Sequence, residues 1–530
     1  MMKIEYLDRF PLFNTHQTAE RDAYTLCIIL SIGLTVFTPF LSLVTPLPTL
    51  GWVVIIGLIY GVTALVIGRV AIGVYVSLIV SMMFAANIPL SSRGYLMSMT
   101  RDIGPSIWFA HIPLFILLFV LFVRDKEQFL QVHKSELFLG IFVGWVILAS
   151  VVTQPTRLDT ALYFALFVFW GGLVFAAVRR VHQMLPVSPR TTMILVSISV
   201  LANSVFALTE IFHGDSYGLT NLGELSPEYT DQIAEITFGS ITLPVGTFVS
   251  GFSGMSFILA SIIILVLPFV LSSLLGGSLR IQIIGAASAL ILILVLRFTA
   301  SDAARGGALL AIGVFSTLTL IMLIKENVST NRRTLAIFLT IMILCTGIVL
   351  FPSTMSGTPS EQLPQQGSQS TEEQTAQKES TESSSAVEPS DISIPMFDLS
   401  NLGPRLQQYT TGISLFIEQP IFGIGGANFA DTSQKYGLTD GLPIHNIYLS
   451  LLTETGFVGF VLYMSFLATI LWQGMQKVVI TTDTIPLQIA VLAGVLGYLG
   501  FMFWDHLLFN SIVGSFTFYT ICATLVNGDQ

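Results

Sequence analysis

Charge is scarce in this chain: Asp, Glu, Lys and Arg together make up 10% of 530 residues, against 53% hydrophobic. A soluble globular domain carries about 25% charged residues. So little charge excludes one here, and a mean hydropathy of +0.78 points to a polytopic membrane protein. Cysteine is nearly absent. Cys27, Cys345 and Cys522 each fall in an apolar run at no metal-ligand spacing, which speaks against a disulfide framework, a zinc site or redox chemistry. Excess positive charge is missing too, and a net charge of −9 argues against nucleic acid as a partner. The first 23 residues, "MMKIEYLDRFPLFNTHQTAERDA", lack a short apolar core followed by a small-residue cleavage site, so a retained first helix is expected rather than a removable signal peptide.

What the chain has in abundance is apolar runs of about 17 to 25 residues, each able to span a bilayer. Fourteen are read, at roughly 24–44, 50–67, 71–90, 107–123, 137–152, 161–178, 192–212, 250–271, 281–297, 306–324, 335–351, 446–471, 485–503 and 507–525. Two divisions rest on little, the one inside 50–90 at "GRVA" and the one inside 485–525 at "WDH", so the count is 12 to 14. The fold class expected is an all-α polytopic membrane protein. Lys and Arg accumulate in short cytoplasmic loops, and with the N-terminus inside, 15 of the 23 fall on the inner side. Both termini are therefore expected in the cytoplasm. The chain divides into helices 1–11 (1–351), a large extracytoplasmic loop (352–445) and helices 12–14 (446–530).

Within that loop, residues 356–391 are rich in Ser, Thr, Glu, Gln and Pro with almost no large apolar residue, which predicts disorder. The segment after it, "NLGPRLQQYTTGISLFIEQP", sets Leu406, Tyr409, Ile413 and Phe416 at helical spacing behind Pro404. An amphipathic helix over 404–419 is expected, against the membrane surface or the top of the bundle. "IFGIGGANF" then supplies Gly423, Gly425 and Gly426 for a tight turn. The outer loop 213–245 carries Asp215, Glu224, Glu228, Asp231 and Glu235 with no Lys or Arg; a solvated loop is the ordinary reading, a cation or acceptor-sugar role the alternative.

Three ionisable residues facing the outer compartment stand in specific contexts: Arg305 in "SDAARGG", Arg405 at the start of the amphipathic helix, and His445 at the mouth of the twelfth span. Arginine offers a planar fork of donors suited to phosphate oxygens, and histidine exchanges a proton near neutral pH. Together they suit a lipid-anchored phosphate substrate and a proton-transfer step. Arg297 ends the preceding helix, where an interfacial anchor is the ordinary role and a further phosphate contact the alternative. His111, His213 and His506 lack such a context and read as structural. Glu454 lies nine residues beyond His445. On a continuous helix that is about 180° around and about 13 Å deeper. It reads as an internal clamp packed against another helix beside Gly456, rather than as a partner of His445.

The block "GPRLQQYTTGISLFIEQPIFGIGGANF", followed by "HNIYLSLLTETGFVGF", resembles the signature of the O-antigen ligase and polymerase family: an Arg-started helix, a P-x-x-G-x-G turn ending in Asn-Phe, then His-Asn and a Glu-x-Gly. "AARGG" resembles the family's Ser-Arg-Gly element, with Ala304 where the family usually has Ser, and the insertion at 356–391 is not a family feature. The resemblance implies a GT-C-like glycosyltransferase that moves an oligosaccharide from a polyprenyl diphosphate, of undecaprenyl or dolichol type, to an acceptor hydroxyl outside the cytoplasm, without metal or other cofactor. It implies that Arg305 and Arg405 bind the diphosphate, and that His445 orients or deprotonates the acceptor. Gly423, Gly425, Asn428, Asn446 and Glu454 would shape the site. The partners implied are the lipid-linked donor, a glycan, lipid or protein acceptor, and the bilayer. A flippase for lipid-linked oligosaccharide is the rival reading, and a structural subunit of a glycan-assembly complex a third. Transporters usually show paired repeats and midplane charge, whereas here charge gathers at the outer mouth.

Overall fold

A computed structural model describes residues 21–31, 33, 70–89, 96–98, 101–103, 106–213, 216–224, 234–238, 241–245, 249–275, 278–299, 301–325, 332–350, 402–438, 442–480 and 485–526. The expected span at 50–67, the disordered reading of 356–391, and Asp215, Glu228 and Asp231 of the acidic loop lie outside these residues.

In chain order the helices are α1 (21–31), α2 (Val70–Ser81), α3 (His111–Arg124), α4 (Lys126–Phe129), α5 (Lys134–Thr153), α6 (Leu158–Met184), α7 (Pro189–His213), α8 (Ser256–Ser272), α9 (Leu279–Phe298), α10 (Asp302–Lys325), α11 (Arg332–Leu350), α12 (Leu402–Glu418), α13 (Phe429–Ser433), α14 (Ile447–Ile480), α15 (Ile485–Phe501) and α16 (Ile512–Val526). Six of them, α5, α6, α7, α9, α10 and α14, are long and apolar enough to cross a membrane by length and composition, and six shorter apolar helices accompany them. This is an all-α multi-pass membrane protein, and the described helices follow the apolar runs closely except at 71–90. There the helix stops at Ser81 and a turn leads into a strand at Asn87. The loops add three two-stranded antiparallel pairs, Asn87–Pro89 with Ser106–Trp108, Leu96–Ser98 with Arg101–Ile103, and Ala234–Phe238 with Ile241–Val245.

Helices associate in lipid through small residues that let backbones approach, and the central contact follows that rule. α10 packs on α15 where a Cβ at Gly307 would stand 2.8 Å from the Cβ of Phe501 and 2.9 Å from the carbonyl oxygen of Gly497. Fully buried aromatics, Phe142, Phe175, Tyr463, Phe466 and Tyr519, fill the space between α5, α6, α14 and α16.

The two ends of the bundle differ in chemistry. At one end Arg179 and Arg180 of α6 converge on Glu136 of α5, and both also donate to the Gln131 carbonyl. Lys477 of α14 donates to the Leu525 carbonyl at 2.6 Å at the same end. These cations belong to segments that the Lys and Arg distribution assigns to the cytoplasm. The other end carries the expected site residues. On the acidic loop, Glu224 is buried and accepts from the backbone N–H groups of Tyr217 and Leu219, so it closes its own loop.

Candidate functional site

Helix α12 begins with Pro404 in its first turn, where a missing N–H costs nothing. Its buried face is not the apolar spacing seen in the sequence. Gln408, Thr411, Gly412 and Leu415 face the protein, Tyr409 and Phe416 are half-buried, and Leu406 and Ile413 point outward. That face meets a small hydrophobic cluster, in which Leu415 packs with Ile424, Phe429, Leu438 and Ile444, together with the backbone and imidazole of His445, so a glycine, a threonine and an amide share it with the leucine. Gly412 lies against Ile444 and Leu449, and its carbonyl accepts the Thr453 hydroxyl at 3.1 Å. The Tyr409 hydroxyl donates to the His445 carbonyl at 2.9 Å, and burial raises the Tyr409 phenol above its ordinary pKa.

His445 is held by Gln408. The backbone N–H of His445 and its ring Nδ1 both face Gln408 Oε1, at 3.4 and 3.0 Å. A backbone N–H can only donate, so that atom is the amide oxygen, and Nδ1 in turn must carry a proton to donate to it. In the neutral ring Nε2 is then left with its lone pair. The next residue, Asn446, caps α14 by accepting from the Leu449 N–H at 3.0 Å. Ile447 N–H donates to the carbonyls of Met502 and Asp505, at 3.0 and 3.1 Å. The mouth of α14 is thus pinned on the loop between α15 and α16.

That loop contributes His506, which reads as structural in the sequence, and Asp505, to which the sequence reading gives no role. The His506 ring stands edge-on to His445, with centroids 5.0 Å apart, and its Nδ1 lies 3.5 Å from Asp505 Oδ1. Burial pushes the Asp505 carboxyl up to about 6, opposed by the His506 N–H and by the Arg405 charge. Burial, with the charges of His445 and Arg405 nearby, holds His506 well below its usual pKa, so it stays neutral. Arg405 therefore acts electrostatically on the same loop, and among the described residues it forms no contact ion pair. The signal available in the sequence was "WDH" itself, two ionisable residues together in about 40 otherwise apolar ones.

The expected twelfth span is not one continuous helix. α14 breaks at Gly456, with φ 69° and ψ −179°, and the glycine turn seats against the break. A helix break frees carbonyls that must find partners away from water. Here Thr453 O accepts from Ile424 N–H at 3.0 Å, Glu454 O from Gly425 N–H at 3.0 Å, and Thr455 O from the Trp145 indole at 2.9 Å. In return Phe457 N–H donates to Pro420 O at 2.8 Å. Gly423 and Gly425 adopt φ of 72° and 94°, and a Cβ at Gly423 would stand 2.5 Å from the Glu454 carbonyl carbon. Glu454 is the clamp for this turn rather than for another spanning helix: its carboxylate accepts from Ala427 N–H at 2.9 Å and Phe429 N–H at 3.3 Å. Asn428, fully buried, ties the turn to the α5–α6 loop by accepting from Arg157 N–H at 2.8 Å and donating to its carbonyl at 3.1 Å.

Glu454 and His506 line one cavity of about 30 Å³, with Phe164, Ser450 and Asn510 among its other walls. That volume holds one or two waters. Arg305 and Arg297 form a separate cluster. Arg305 pairs with Asp302 within the first turn of α10, and Arg297, buried at the end of α9, leaves Nε and Nη2 without a partner among the described residues. Arg305 lies two residues from Gly307, which packs on Phe501, and Ile447, two residues beyond His445, bonds to Met502 and Asp505 of the same segment. Arg297, Arg305 and Arg405 bring guanidinium groups to this end, donors suited to anions, beside the carboxyls of Asp302, Glu454 and Asp505, and among the described residues no three His, Cys, Asp or Glu gather as metal ligands.

Residues 264–464 match the O-antigen ligase family, which bears out the resemblance carried by the 405–460 block. The matched span holds Arg297, Arg305, Arg405, His445 and Glu454 and ends before Asp505 and His506. No curated protein matches the chain.

Proposed function

From this O-antigen ligase domain in a multi-pass membrane protein, we propose a glycosyltransferase that moves an oligosaccharide from a polyprenyl diphosphate to an acceptor hydroxyl outside the cytoplasm, as a ligase or a polymerase. The observation that carries the reading is the orientation of His445. Gln408 keeps the proton on Nδ1 and leaves the Nε2 lone pair to receive one. In the transfer the acceptor oxygen bonds to the anomeric carbon while the bond from that carbon to the diphosphate oxygen breaks. The electron pair leaves with the diphosphate, and the hydroxyl proton goes to His445. Arg405, Arg305 and Arg297 would bind the diphosphate and stabilise the charge it gains on leaving. Preorganised cations acting on developing charge are often the largest single contribution to such a rate. No metal is assigned a role, since the guanidinium groups supply the positive charge that the leaving group requires.

The site would face outward, with both termini in the cytoplasm, as the distribution of Lys and Arg supports. Gly423, Gly425, Asn428, Asn446 and Glu454 act one step removed, by holding the turn and the helix mouth in place. The test supplies purified protein in vesicles with a polyprenyl diphosphate-linked oligosaccharide and an acceptor, and follows glycan transfer and release of free polyprenyl diphosphate. Wild-type product, lost or strongly reduced in His445→Ala, Arg405→Ala and Arg305→Ala, is expected. Full transfer by all three variants overturns the site. Movement of the lipid across the vesicle without product makes the chain a flippase instead.

A further inference from the structure

Helix α12 has three faces. Taking Gln408 as zero and about 100° per residue, Thr411, Gly412 and Leu415 fall near it and are buried with it against α14. Thr410, Ser414, Gln407 and Glu418 fall between about 200° and 280° and form an exposed polar face. Leu406, Ile413 and Ile417 fall between about 140° and 180° and are exposed at 59%, 49% and 69%. A surface helix that has already buried one stripe has no reason of stability to keep a second apolar stripe in water.

Two observations say what covers it. First, the stripe is continuous with the lipid-facing side of the bundle. The chain leaves α12 through exposed Ile421, and Phe457 N–H bonds to Pro420, which puts Ile421 beside exposed Phe457 and, one turn on, Val461 of the spanning helix. Second, the stripe ends at the site. Arg405, at about 60°, and Tyr409, at about 100°, lie between the buried face and the stripe, and Tyr409 bonds to His445. An anionic head group held by Arg405 thus has an apolar track leading from it directly into the membrane.

Resting on the reading of the donor as a polyprenyl diphosphate, we propose that the stripe Leu406–Ile413–Ile417–Ile421 is the binding subsite for the donor's isoprenoid tail. The tail leaves Arg405 along α12 and enters the bilayer at Phe457. The subsite sets the enzyme's preference for a long, branched hydrocarbon chain, and it acts on donor binding rather than on the chemical step.

The kinetic arm of the test uses full-length protein in vesicles and one oligosaccharide on two carriers, a long polyprenyl diphosphate and a farnesyl-length one. The wild type is expected to show a lower KM for the long carrier. The double variant Ile413→Asn, Ile417→Asn is expected to raise the long-carrier KM on the order of tenfold, to the short-carrier value, with kcat and the short-carrier KM unchanged. A control pair on the polar face, Thr410→Asn with Ser414→Asn, keeps the wild-type ratio. A double variant that retains the full wild-type discrimination overturns the proposal. The second arm needs no turnover: a polyprenyl diphosphate with a diazirine in its tail is photolysed on the wild type and the adducts are mapped. Labelling of residues 406–421 that unlabelled polyprenyl diphosphate competes away is expected. Equal labelling by a diazirine phospholipid, without competition, makes the stripe a bilayer anchor and overturns the tail subsite. If neither carrier yields product with the wild type, the glycosyltransferase reading fails while this arm still decides the tail subsite.

Discussion

His445 is oriented by an amide rather than by a carboxylate. Gln408 accepts from both the ring and the backbone of the same residue, so the tautomer and the backbone position are set together. A neutral hydrogen bond contributes about 1 kcal/mol net, and roughly 1.4 kcal/mol separates states tenfold. Gln408→Leu is therefore expected to lower kcat by up to about tenfold with KM for the donor unchanged. His445→Ala should lose about 10²–10⁴-fold, and steady-state transfer assays separate the two. Asp505 makes a second prediction through pH. Burial raises its folded pKa to about 6, above the unfolded value, so the folded state favours the protonated form. The stability this contributes is complete below the unfolded pKa and is lost as pH rises through about 6. Asp505→Asn should then raise the midpoint of thermal unfolding more at pH 7.5 than at pH 5. An equal shift at both values would deny the carboxyl its raised pKa.

The glycine turn and the broken helix form one unit, because each satisfies the backbone groups that the other leaves open. Gly456 adopts φ 69°, and a side chain there would collide with the Ile421 carbonyl. Gly456→Ala therefore combines a left-handed strain with a steric clash and is expected to cost about 1–3 kcal/mol or more. Loss of monodisperse protein in gel filtration and a lowered unfolding temperature would show it. Glu454→Gln tests the other half of the unit. The carboxylate accepts two N–H groups with two oxygens, whereas an amide offers one oxygen and turns an NH₂ towards the second N–H. A cost of about 1–3 kcal/mol is expected for the group left unsatisfied, with transfer activity falling as the turn loosens. The residues of this unit are plain in the sequence as "GIGGANF" and "TETG", but their pairing is not. Nothing in the helical spacing of 446–471 announces that the carbonyls at 453 to 455 turn to another segment.

At the scale of the molecule, the side-chain ion pairs among the described residues lie at the helix ends and in the loops that join them. At the end assigned to the cytoplasm, Glu136 stands between two buried arginines. Glu136→Ala should destabilise the bundle by about 3–5 kcal/mol, read as a loss of folded protein extracted from membranes, because two guanidinium groups lose their shared counter-charge. Cysteines introduced near positions 328 and 365 test the orientation. Membrane-impermeant labelling at 365 but not 328 is expected, and the reverse pattern would invert the proposed topology.

Composition and periodicity by themselves determined that this is a helical multi-pass membrane protein and where its long apolar runs fall, and the resemblance of the 405–460 block to the O-antigen ligase family singled out the arginines and the histidine. These are legible because lipid imposes long apolar runs and leaves charge conspicuous wherever it occurs. Only the tertiary structure decided that Gln408 orients His445, that Asp505 and His506 stand beside it, that Glu454 holds a turn and not a neighbouring helix, and that α12 turns Leu406 and Ile413 away from the protein. Each of these is a contact between segments far apart in the chain, set by which backbone groups must find partners out of water. No local pattern of residues encodes that choice.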